Sequence, residues 1–262
     1  MSRLVEEFRR VLFVGSSTTA PGGTGPSSEG NRYTSLVQAA RPNDVYTVNG
    51  IGGTLVEDWI HSATAAGTSL ANNYFIASDA EAANFSIGQY VQIYTSDTVL
   101  KEQTAFTITS MPSTGGFTNI TFSPSAAALP ASGNLLRRAY ALTPCDVGIV
   151  QLGINDWYVP VDADTFQNQV RIMLSRLRLQ SPSIELFWLR AWMPNSDDAS
   201  RIQTWNDYEE VLKELVNYPG PHPFTLMDMR ETNRSLYWYD PTGFHYNDHG
   251  HLLLAKKVLE YL

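Results

Sequence analysis

Five short apolar runs recur along the chain with helical stretches between them, and this alternation limits the fold more than any other feature. They are RVLFVG (10–15), DVYTVNG (44–50), DVGIVQLG (146–153), IELFWLR (184–190) and PFTLMD (223–228). Each is short and rich in β-branched or aromatic residues, as buried strands are. In 164–179, Phe166, Val170, Met173, Leu174 and Leu177 follow the 3.6-residue helical period, and Asp164 with Gln167 suits a capping box at the start. Residues 199–217 and 249–262 also read as helices. Strands alternating with helices form a parallel sheet covered on both faces, so the expected fold class is α/β.

One stretch breaks the rhythm. From Asn72 to Leu136 the chain turns rich in Ser, Thr, Gly and Ala, and Phe106/Ile108 and Ile120/Phe122 alternate with threonines. Period-two alternation marks half-buried antiparallel strands, and Gly115-Gly116 suits a hairpin turn. The expected organisation is an α/β domain from 1–71 and 137–262 carrying a β-rich insert at 72–136. The insert is expected beside the mouth of the pocket, supplying neither nucleophile nor base. It is also the candidate surface for homo-oligomer formation.

The charge balance narrows the function. Eighteen Lys and Arg against 26 Asp and Glu give a net charge of −8, with no basic cluster. Nucleic acid and anionic membrane surfaces are therefore not expected partners. No run approaches the 18 or so apolar residues of a membrane span. The opening MSRLVEEFRRVLFVG lacks a signal-peptide core, which suggests a cytoplasmic or virion-associated chain. The single cysteine, Cys145, lies in an apolar flank and reads as a buried, inert thiol.

The chemistry-bearing residues follow the proposed strands. Ser17 ends the first, NGIGGT (49–54) follows the second, GIND (153–156) the third, and YDPTGFHYNDHGHLLLAKKV (239–258) lies near the C-terminus with His245. There is no P-loop, no G-x-S-x-G elbow, no G-x-G-x-x-G and no H-E-x-x-H. In a parallel sheet the carboxyl ends share one edge, so these segments can meet there. A serine, a histidine, a glycine N–H and an asparagine amide then suffice for acyl transfer. Blander readings stand beside this one. Ser17 also suits a turn, the glycines a tight strand-to-helix connection, and Asn155 a helix cap. Asp156 reads as structural, and His61 and His222 as loop residues. His249 and His251, two apart at a helix start, point to different sides, so no metal site is expected. SLYWYDP (235–241) reads as packing or as pocket lining.

Taken in order, these segments resemble the four blocks of the SGNH hydrolases, the GDSL-type lipases and esterases. FVGSS matches the first block with Ser17 as nucleophile, NGIGGT the second with Gly53 as donor, GIND the third with Asn155, and HYNDHGHLLLA the last with His245. PNSDDASRIQTWNDY (194–208) is similar to the stretch the family carries before its last block. The resemblance covers 11–66 and 140–262. It implies a flavodoxin-like, three-layer α/β/α domain with a five-stranded parallel sheet. It also implies ester hydrolysis, commonly of acetyl or short acyl groups on sugars, lipids or small molecules. No cofactor is implied. Ser17 N–H, Gly53 N–H and the Asn155 amide would form the oxyanion hole.

Two departures stand out. The family's Gly-Asp-Ser is Gly15-Ser16-Ser17 here, and the aspartate expected three residues before the histidine is Thr242. Asp240, five residues before His245, is the candidate third member; otherwise a main-chain carbonyl orients the imidazole and the site is a Ser-His dyad. A literal D-x-x-H at Asp248–His251 fits less well, because the following glycine and helix suit His245. The second departure also allows a catalytically silent glycan-binding module, of the sort found in phage tails and virions.

Overall fold

The computed structural model describes residues 8–190, 199–217, 224–228 and 245–262. The chain divides into two compact units. One comprises Met1–Val56, Cys145–Arg171 and Ser183–Leu262; the other comprises Glu57–Pro144 and Ile172–Pro182.

The first unit is built on a five-stranded sheet. Across it lie Thr225–Asp228, Glu185–Arg190, Val147–Gln151, Arg10–Gly15 and Val45–Gly50, each parallel to its neighbour. In chain order this is 2-1-3-4-5, the flavodoxin-like doubly wound order. The apolar runs are continuous because the central strands are covered on both faces; Val11 to Val14 are each at most 1% exposed. Val48, Phe13, Ile149 and Phe187 form one register row and share a face. Tyr33 of helix Tyr33–Ala40 packs its ring on Phe13, and Tyr261, just past helix Asp248–Leu259, packs on Phe187. Val14, Val150 and Trp188 form the next row and face the other way. Phe166 meets Trp188 there and stacks on Tyr208 of helix Ala199–Asn217. The result is the expected three-layer α/β/α sandwich.

Helix Ala163–Gln180 is capped differently from the sequence expectation. Asp162, not Asp164, accepts the Thr165 N–H at 2.9 Å, and Gln167 reaches Glu214 instead of closing a box. Asp162 wins because it sits one residue before the helix, where a side-chain acceptor can reach back to the third helical N–H.

The second unit is an antiparallel sheet. Its path runs Ser62–Thr64, Leu135–Arg138, Tyr90–Ser96, Phe106–Ser110, Phe117–Ser123, Tyr74–Ser78, with Val99–Leu100 and Ser113–Thr114 pairing beside it. The alternating residues do what their period requires: Phe106, Ile108, Ile120 and Phe122 are buried in one apolar cluster with Phe75, Val91, Ile93 and Leu136. Gly115 and Gly116 form the hairpin turn, with φ of +65° and +86°. One end of the opposite face is buried as well. Gln92, Tyr94 and Arg137 are buried on it, and Arg137 donates to Ser62 Oγ at 2.9 Å and pairs with Asp97. Arg176, from the last turns of helix Ala163–Gln180, also donates to Ser62 Oγ, at 3.1 Å.

Candidate active site

The site follows from strand register. Gly15 is level with Gly50 on one side and with Gln151 on the other. The three segments that follow therefore leave the same edge at the same height. The point between the first strand and Val147–Gln151 is where the strand order reverses, and doubly wound folds open their binding crevice there.

Ser17 stands at the start of a tight turn. The carbonyl of Ser16 accepts the N–H groups of Thr19 at 3.0 Å and Ala20 at 2.8 Å. Gly53 lies in the turn after the second strand with φ of +78°, a conformation L side chains rarely adopt, and no atom stands within 4 Å of where a Cβ would be. Asn155 is in the first turn of helix Ile154–Tyr158 and is 8% exposed. Its Nδ2 donates to the Thr54 carbonyl at 2.9 Å, while the Val56 N–H donates to Asp156 Oδ1 at 3.0 Å. The third segment thus ties down the second. Asp156 is fully buried in this structural role.

His245 lies just before the last helix. Asn247 caps that helix by accepting the Gly250 N–H at 3.0 Å. Asp248 accepts the Ser27 N–H at 2.6 Å, the Ser27 hydroxyl at 2.5 Å and the Asn31 amide at 3.0 Å. The Ser27 hydroxyl and N–H hold its carboxyl below the usual carboxylate range. His251 is fully buried and stacks on Tyr33, whose N–H donates to His251 Nδ1 at 3.2 Å. Burial, aided by the Arg32 charge, pushes His251 down to about 3, so it is a neutral packing residue at ordinary pH. His249 is exposed. Cys145 is a buried thiol outside any disulfide, pushed up to about 11 by burial.

Ser17, Gly53, Asn155 and His245 line one cavity of about 680 Å³. Gly22, Gly23 and Thr24 form another wall, and Tyr158 and Val159, 57% and 55% exposed, form an apolar rim. Among the described residues, no Asp, Glu, Lys or Arg lines it. Asp240, Thr242, His222 and SLYWYDP lie outside the described residues. Sequence reasoning missed the Gly22–Thr24 wall and the Tyr158–Val159 rim. The glycine pair Gly22-Gly23 soon after Ser17 was the signal for the first; nothing local marked the second.

The profile described as GDSL-like Lipase/Acylhydrolase matches residues 11–258. The chain belongs to that family. Solved structures share the fold of this chain at low identity. A putative GDSL-like lipase from Parabacteroides merdae superposes with a TM-score of 0.55 at 13% identity, covering 98% of this chain and 96% of its own. The esterase EstA from Pseudoalteromonas, inhibited by monoethylphosphonate, gives 0.50 at 8%, covering 96% and 95%. A family two carbohydrate esterase from Clostridium thermocellum, in complex with cellohexaose, gives 0.50 at 12%, covering 97% of this chain but only 63% of its own. The chain thus spans less than two thirds of that esterase. No curated protein matches the chain.

Proposed function

We propose that this GDSL-like acylhydrolase is a serine esterase that removes acetyl or other short acyl groups from carbohydrate by acyl transfer. The observation that carries the reading is the cavity shared by Ser17, Gly53, Asn155 and His245.

His245 Nε2 takes the Ser17 proton as Oγ attacks the ester carbonyl carbon. The oxyanion accepts hydrogen bonds from the N–H groups of Ser17 and Gly53 and from the Asn155 amide. An amide nitrogen has two N–H groups, and Thr54 takes one of Asn155's. Losing one such donor costs on the order of 3 kcal/mol in the barrier. Collapse breaks the ester C–O bond, and the alcohol leaves with the proton from His245. Water, deprotonated by His245, then releases the acid and regenerates Ser17. Asp240 accepts the Nδ1–H of His245 and fixes the tautomer that leaves Nε2 free.

The described part of the cavity wall carries no charged side chain, which suits a neutral acyl substrate. The Tyr158–Val159 rim, with Arg201 over one face of the Tyr158 ring, suits contact with a sugar ring. The fold likeness to a carbohydrate esterase points the same way. The test uses p-nitrophenyl acetate, acetylated oligosaccharides and a fluorophosphonate. Wild type should hydrolyse both esters and be labelled at Ser17; Ser17→Ala should do neither. An unlabelled wild type that still binds glycans would replace this reading with the binding-module one.

A further inference from the structure

Arg32 is the last residue before helix Tyr33–Ala40, and it is 1% exposed. A charge so deeply buried has to be paired and hydrogen-bonded, or it costs heavily. Its partners are unusual in where they lie. Nε donates to both carboxylate oxygens of Glu29, at 2.9 and 3.0 Å. Nη1 donates to the carbonyls of Ser17 at 3.2 Å and Thr18 at 3.1 Å, and Nη2 to the carbonyl of Gly23 at 2.6 Å. Glu29 in turn accepts the Gly22 N–H at 3.0 Å. One ion pair therefore gathers both ends of the 17–23 loop. The loop is folded tightly over the nucleophile: a Cβ at Gly23 would lie 2.3 Å from the Ser17 carbonyl oxygen.

Ser17, Gly22 and Gly23 all line the cavity, whereas Arg32 does not. We propose that Arg32 is a positioning residue for the esterase reaction. It sets the Ser17 main chain and the glycine wall in one geometry, and so the place of Oγ relative to the acyl carbon. This rests on the reading of Ser17 as nucleophile. The planar guanidinium fork suits the task because it reaches three carbonyls and a carboxylate in different directions. The three donors of a lysine radiate from a single atom and cannot do so. A displacement of about 1 Å in a reacting group can cost on the order of 10²-fold in rate.

The experiment measures turnover per active site. Sites are counted by complete fluorophosphonate labelling, and kcat and KM are measured on p-nitrophenyl acetate for wild type, Arg32→Lys and Glu29→Gln. A positioning role lowers kcat per labelled site, by about tenfold to 10²-fold in Arg32→Lys and roughly threefold or more in Glu29→Gln, with KM nearly unchanged. A merely structural role lowers the number of labelled sites while each turns over at the wild-type rate. That outcome in both variants overturns the inference and leaves the esterase reading intact. Glu29 is 48% exposed, so Glu29→Gln keeps the test open where Arg32→Lys fails to fold. A wild-type chain that is neither labelled nor active overturns the esterase reading and this inference with it.

Discussion

The two units bury their sheets by different rules, and the candidate site lies at the strand edge of the parallel one. In the α/β unit every strand runs the same way, so the segments after Gly15, Gly50 and Gln151 leave one edge together. Residues far apart in sequence converge there without any special turn. In the antiparallel unit, neighbouring strands end at opposite edges, so consecutive connections are split between two rims. Its investment is in packing: an apolar cluster around Phe106 and Phe122 on one face, and the buried Arg137, Tyr94 and Gln92 on the other. The comparison teaches that losses at the shared strand edge of the first unit should show as lost turnover, and losses in the packed interior of either unit as lost stability.

The sharpest break of that comparison is the pair of histidines. His245→Ala should lower kcat by several orders of magnitude, whereas His251→Ala, measured on the folded fraction, should cost less than about tenfold, the scale of 1.4 kcal/mol. The reverse ranking would mean that the base had been misassigned.

Phe106→Ala comes next and should do the opposite. Phe106 is fully buried, with its ring 4.7 Å from Phe122. Urea unfolding should show a loss of about 3–5 kcal/mol, while kcat per labelled site stays near wild type. A fall in per-site turnover would tie the antiparallel unit to the chemistry.

Asp240→Asn should lower kcat by roughly 10²- to 10⁴-fold with little change in the unfolding midpoint. Near wild-type kcat, with Ser17→Ala and His245→Ala inactive, would make the site a dyad.

The smallest effect is acid sensitivity from His251. Its folded pKa is pushed down to about 3, against about 6.5 when unfolded. Between these values the unfolded chain binds the extra proton, so stability rises with pH. Folding free energy should therefore fall by about 1.4 kcal/mol per unit as pH drops below 6.5, and His251 should have no influence above that. His251→Asn, which keeps an acceptor for the Tyr33 N–H, should flatten the slope between pH 6.5 and 5.5. An unchanged slope would show that His251 is not the group responsible.

By itself, the sequence determined the layered α/β core, the antiparallel nature of the inserted strands and the order of the four family blocks. The core and the antiparallel strands rest on periodicity and the blocks on short motifs, and both are local: a strand buried on both faces reads as a continuous apolar run wherever it lies. The tertiary structure decided what each polar side chain does. Ser62–Thr64 and Leu135–Arg138 joined the antiparallel sheet, although SAT and LLRR carry no strand pattern. Asp248, one end of a literal D-x-x-H, holds Ser27 across 221 residues of chain. His251, the other end, packs on Tyr33 in the core. Arg32 looks like any arginine at a helix start until the fold wraps the 17–23 loop around it. The physical reason is the same in each case. A hydrogen bond or a buried charge depends on a partner that only the folded chain brings near, whereas an apolar residue needs only to leave water.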